Sequence, residues 1–206
     1  MAITSIKTGS SFTNLVKYND FLAGNPSFIP SSYESIASAT GTGSSGLITF
    51  SSIPSTYASL QIRILCKSTS TSSPSSQMLM TFNNDSGGNY TYHRLQGDGA
   101  SVSAAGSTGI TGVIIDGVVV RSPGYIDNNI CGTAIIDIHN YASTTQNKTV
   151  KAFSGADRNS TAGDLRIALN SSAWLNTSAI STITLDVNGG NFATSTTVSL
   201  YGIKGA

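Results

Sequence analysis

The chain reads as an all-β protein: an antiparallel β-sandwich of jelly-roll type with about ten strands, preceded by an N-terminal arm with a short helix. Three observations predict this. Ser and Thr together number 58, Gly 21 and Asn 15, whereas Glu occurs once, at Glu34. Strands and turns favour Thr, Val, Ile, Tyr, Ser, Gly and Asn, while helical surfaces draw on Glu, Lys, Gln, Arg and Ala. Apolar residues recur with period two, too regularly for a disordered Ser/Thr tract. Turn clusters separate these runs at roughly the 8–12-residue spacing of sandwiches and barrels.

Residues 1–30 form the arm and 31–206 the sandwich. Within SFTNLVKYNDFLA, at 11–23, Phe12, Leu15, Val16 and Leu22 fall near one helical face, with Tyr18 and Phe21 beside it. Ser10 or Ser11 suits the N-cap, and Gly24 and Pro26 stop the helix. So short a helix is marginal alone in water and needs a surface to pack on. That surface is either its own sandwich or a partner, with Phe12, Leu15, Val16, Phe21 and Leu22 as anchors.

Three strands fill 33–64, joined by a Gly/Ser turn and a Pro-marked corner. Leu47 and Thr49 alternate with Ile48 and Phe50, then Leu60, Ile62, Ile64 and Cys66 with Gln61, Arg63, Leu65 and Lys67. SSPSS at 72–76 is a loop. The next strand, 77–83, puts Met78, Met80 and Phe82 on one face; after a turn at 84–88, 89–96 alternates Tyr90, Tyr92 and Arg94 against Thr91, His93 and Leu95. GDGASVSAAGSTG, at 97–109, has the composition of an exposed loop. Residues 110–120 form an apolar pair of strands around Asp116-Gly117, a hairpin-turn dipeptide. The longest strand is 130–141, with Ala134, Ile136 and Ile138 opposite Thr133, Ile135 and Asp137. Strands at 148–154, 165–169, 180–187 and 196–203 follow, with one helical turn at 172–174. Asn188-Gly189-Gly190 turns the last two strands against each other.

A net charge of +1, from 11 basic and 10 acidic residues scattered singly, offers no stripe for a phosphate backbone, so no nucleic-acid partner is expected. No apolar run approaches the roughly 20 residues of a membrane span, and the N-terminus lacks a secretory h-region, so synthesis in the cytoplasm without membrane insertion is expected. Cys66 and Cys131 lie in strand patterns and read as small buried hydrophobes, with a cross-sheet bridge as the alternative.

The residues also argue against an enzyme. His93 and His139 are the two histidines, and no GxSxG elbow accompanies either. Asp85, Asp98, Asp116 and Asp127 stand in turn-like contexts where Asp bonds its own backbone, which weakens a paired-carboxylate glycosidase. Zinc would need Cys66, His93, Cys131 and His139 to converge without paired spacing. NNDSGGN, at 83–89, lacks the spaced carboxylates of a calcium loop. No metal or cofactor is therefore expected. Tyr90, Tyr92 and His93, beside a Gly-rich loop, are the candidate glycan-stacking or interface aromatics.

YESIA followed by a Gly/Ser turn, ITFSSIPSTYASLQIRI, FNNDSGGNYTYHRLQGDG and the terminal VSLYGIKGA resemble a family of virion structural proteins of tailed bacteriophages, frequent in phages of cyanobacteria and other aquatic bacteria. The resemblance covers 33–206 in scattered motifs, of which 47–63 and LYGIKG are the most specific; the arm lies outside it. It implies a β-sandwich module carried on the virion beside other virion proteins. One role is a capsid decoration or cement protein that oligomerises, as a homotrimer or other homo-oligomer, and docks through its arm. The other is a tail-fibre or receptor-binding module for host glycan. The absence of a fibrous shaft and the short amphipathic arm favour decoration.

Overall fold

The computed structural model describes residues 32–71, 75–121, 130–157 and 166–205, with 75, 76 and 121 by backbone alone. These residues form twelve strands and no helix. In chain order they are β1 (Tyr33–Thr40), β2 (Leu47–Phe50), β3 (Ser59–Ser68), β4 (Ser75–Phe82), β5 (Tyr90–Gly97) and β6 (Val102–Ile110). Then come β7 (Val113–Arg121), β8 (Gly132–His139), β9 (Lys148–Gly155), β10 (Ile167–Trp174), β11 (Ile183–Asp186) and β12 (Thr197–Ile203). Eight strands lie side by side in the order β1-β12-β3-β8-β9-β10-β5-β6, each neighbouring pair antiparallel. Four more, β2-β11-β4-β7, form a smaller antiparallel set. A short parallel pairing of Lys67 with Val120 and Ser68 with Arg121 ties the end of β3 to β7.

The alternation in the sequence selects which face is buried. On the large sheet Leu60, Ile62, Ile64, Ala134, Ile136, Ile138, Val150, Val198 and Leu200 point inward; Ile48, Phe50, Met78, Met80, Phe82, Ile183 and Leu185 point inward from the small one. Together they make one apolar core, so the arrangement is sandwich-like. Burying side chains of this size contributes about 1.5–3 kcal/mol each, which is the main force holding the two layers together. The motif ends of the chain meet here as well. Tyr57 lies on Gly202 so closely that a Cβ at 202 would enter its ring, which explains why a glycine follows Tyr201. The hydroxyl of Tyr141 pins the Pro-marked corner by donating to the Pro54 carbonyl (2.6 Å) and accepting from the Tyr57 N–H (3.0 Å).

Several sequence expectations are corrected. Residues 102–110 form strand β6 rather than a loop, because the exposed edge of β5 supplies ladder partners that local composition does not reveal. Asp116-Gly117 is no hairpin turn: β7 runs through it, and three residues (116–118) stand opposite Gln77 alone as a bulge. Gly117 has φ +70°, and a Cβ there would lie 2.8 Å from the Arg166 side chain. Residues 172–174 extend β10 instead of making a helical turn, since Ser172 and Trp174 pair with β5 and β9. Finally, Asn188-Gly189-Gly190 does not join paired strands. β11 lies between β2 and β4, and β12 between β1 and β3, so this turn carries the chain from one layer to the other.

Candidate functional site

The aromatic platform expected at Tyr90, Tyr92 and His93 is not assembled. Tyr90 is fully buried against Phe82 and Trp174, its hydroxyl accepting from the Phe82 N–H (3.0 Å) and donating to the Asp85 carbonyl (3.0 Å). Burial pushes its phenol up to about 12. Tyr92, half-buried, alternates to the inner side of β5 with Tyr90, whereas His93 is exposed on the outer side. Alternation separates the two adjacent residues, so they cannot offer one surface. The arm residues Phe12, Leu15, Val16, Phe21 and Leu22 lie outside the described residues, as does Asp127.

Most polar groups singled out in the sequence serve the fold. Asp85 accepts the Trp174 indole N–H (2.7 Å), the Gly87 N–H and the Asn89 amide; these bonds, the indole first, hold its carboxyl below the usual range. Asp98 caps the β5–β6 turn through the N–H groups of Ala100 and Ser101. Asp116, 1% exposed, pairs with Arg94 (2.7 Å) and accepts from the Gln77 amide (2.9 Å). Arg94 Nε, Asp116 Oδ2 and Ser172 Oγ are buried without a hydrogen-bond partner among the described residues. Glu34 pairs with Lys204 (2.7 Å), which lowers its carboxyl pKa. Cys66 and Cys131 are free thiols; burial, and then the nearby Cys131, push Cys66 up to about 12. Among the described residues no group of three or more His, Cys, Asp or Glu side chains could hold a metal. No helix among them is long and apolar enough to cross a membrane.

The feature that stands apart from the fold's own bonding is the outer face of the eight-stranded sheet. Its register aligns side chains into rows running across the strands. Ile135 of β8 pairs with Phe153 of β9, Phe153 with Leu169 of β10, Leu169 with Leu95 of β5, and Leu95 with Ala104 of β6. These four large residues are 42, 51, 53 and 50% exposed respectively, although each is strongly apolar. Ile167, Leu65 and Val102 extend the patch in the next row. On its other side runs a polar row, Gln61-Asp137-Lys151-Ser171-His93, in which each residue is the direct partner of the next. Gln61 bridges Asp137 (2.8 Å) and Arg63 (2.9 Å), and the Arg63 guanidinium lies between the rings of Tyr33 and Tyr201. His93 stands three strands from Asp137, about 14 Å, too far for a proton-sharing pair.

This face is not flat. Two hollows, of about 820 and 620 Å³, flank Ile135 and Phe153, which line both. The first opens toward His93, Lys151 and Asp137; the second toward Cys131, Gly155 and Asp98. The walls of the first hollow are mainly apolar, from Leu95, Leu169, Ile135 and Phe153, which suits protein side chains. Comparison with protein-family models, curated proteins and solved structures finds no match. Sequence reading missed this patch because each strand contributes only one or two outward apolar residues, which are unremarkable singly; only the cross-strand register gathers them.

Proposed function

We propose that this protein is a non-enzymatic structural protein of a tailed-phage virion. It works as a capsid decoration or cement protein, docking on the particle through its N-terminal arm and oligomerising through the sandwich. The observation that carries the reading is the exposed apolar face: it is an assembly surface, since a soluble domain rarely leaves so continuous a patch without a partner. The polar groups support the same reading, because Asp85, Asp98 and Asp116 are engaged in the fold's own bonds. The sequence resemblance at 33–206 supplies the virion context.

The sandwich is read as a jelly roll with two inserted hairpins. If β1, β2, β3, β4, β7, β8, β11 and β12 are taken as its eight strands, the orders β1-β12-β3-β8 and β2-β11-β4-β7 are those of two interleaved Greek keys. The pairs β5–β6 and β9–β10 are then insertions that widen one sheet to eight strands and create the outer face.

The test is stoichiometry in purified particles. A band present at hundreds of copies, scaled to the major capsid protein, supports cement, as do particles weakened when residues 1–30 are deleted. A handful of copies, with intact heads and failed adsorption, would overturn it in favour of a glycan-binding fibre module. Hydrolysis of host polysaccharide by the purified chain would overturn both.

A further inference from the structure

We infer that the outer face of the eight-stranded sheet binds a second copy of this chain, sheet against sheet, about a two-fold axis centred on the Ile135-Phe153-Leu169-Leu95 row. This deepens the oligomerisation proposed above and rests on the same exposed face, not on the virion context. Three observations select a second copy as the occupant.

The first is shape. An isologous contact needs protrusion and recess on one patch, because the same surface must serve as both halves. Here Ile135 and Phe153 stand between two hollows, so each copy offers side chains to insert and hollows to receive them.

The second is charge. The polar row beside the apolar one carries Asp137 and Lys151 as direct partners, with His93 at its far end. An axis parallel to the strands, between Phe153 and Leu169, reverses the order of the strands but keeps each row opposite itself. Phe153 then faces the second copy's Leu169, Ile135 faces Leu95, and Asp137 faces His93. A face of mixed sign tolerates its own image, whereas a face of one sign repels it.

The third is area. The axis between β9 and β10 superposes the six strands from β3 to β6 on those of the second copy; at about 4.8 Å spacing, with eight residues of about 3.3 Å rise, they share a face of roughly 24 by 26 Å, or roughly 630 Å². Specific interfaces begin at about 600 Å² per partner. The apolar row alone is smaller, so the polar row and Arg63 form the rim around an apolar centre.

The experiment measures the mass of the full chain by light scattering after size exclusion, across concentrations from about 1 to 200 µM, the range of ordinary protein association. A dimer is expected. The variant Phe153→Asp/Leu169→Asp places carboxylates at the centre and is expected to run as a monomer, with dissociation at least about 100-fold easier. Both substitutions are at half-exposed outward positions, so circular dichroism and the unfolding transition of the monomer keep the fold in view. Leu47→Asp, equally exposed on β2 of the other layer, is the control and is expected to stay dimeric. A wild-type chain that stays monomeric at every concentration overturns the inference. So does a trimer, or an oligomer that survives the double substitution and is lost on deleting residues 1–30, which would assign assembly to the arm.

Discussion

Replacing Lys148 by Met tests the buried ammonium that joins two loops. Lys148 is fully buried, and its ammonium donates to the carbonyls of Ser143 (2.7 Å), Gln146 (2.7 Å) and Thr177 (2.9 Å), with Asn176 further away (3.4 Å). It thereby ties the β8–β9 loop to the segment after β10. Burial lowers its pKa, yet the three short bonds satisfy all three ammonium protons. Met keeps the length and the packing of the stem and removes the donors. Each carbonyl left without its partner costs about 1 kcal/mol, the low end being appropriate because both loops are near water. The sum is about 3 kcal/mol, which at this chain length lowers Tm by about 6–12 °C. Scanning calorimetry, with urea unfolding as a second measure, reads the change. A shift under about 2 °C would show that water replaces the ammonium at no cost, and that the cage is not a fastening.

Four further outcomes are expected. Acid should release Trp174: the folded carboxyl of Asp85 lies below its unfolded value of 3.8, so the indole contact stabilises above that pH and is lost as pH falls through the folded value. Trp174 is the only tryptophan, so its emission reports the step, and Asp85→Asn should abolish it; an unchanged acid transition in that variant refutes the assignment. Of the two thiols, Cys131 should react with a chromogenic disulfide in the native protein and Cys66 only after unfolding, since Cys66 is buried with its thiol pushed up to about 12; two fast equivalents would contradict this. Asp116→Ala should destabilise by about 3 kcal/mol, because Arg94 is left largely buried without its carboxylate; urea midpoints unchanged from wild type would count against that pairing. Gly202→Val should prevent folding or displace Tyr57, visible as loss of near-ultraviolet dichroism, because the Tyr57 ring occupies the space a side chain would need.

How far the sequence was legible differs from residue to residue. Strands β3, β4, β8 and β12 are readable because each carries a clean period-two pattern whose apolar half is buried. β6 is not, because Ser, Ala and Gly carry little strand preference and take the conformation from pairing with β5. Asp116-Gly117 misleads for a related reason: the dipeptide fits a turn locally, but Arg94, 22 positions away, and the register with β4 convert it to a bulge. Tyr90 shows the same limit at the site. Its burial is decided by Phe82 and Trp174, whose positions relative to it are set by three strands and not by neighbours in sequence.

By itself the sequence determined the class of the protein and the buried face of most strands, since alternation and composition act locally and survive without knowledge of partners. Only the tertiary structure decided which strands are neighbours. With that came the crossing of the chain between layers at Asn188-Gly189-Gly190, the sharing of Lys148 between two loops, and the row from Ile135 to Leu95. The physical reason is that a sheet gathers residues through hydrogen bonds between segments far apart in the chain. An apolar patch spread over four strands exists only once those bonds have set the register.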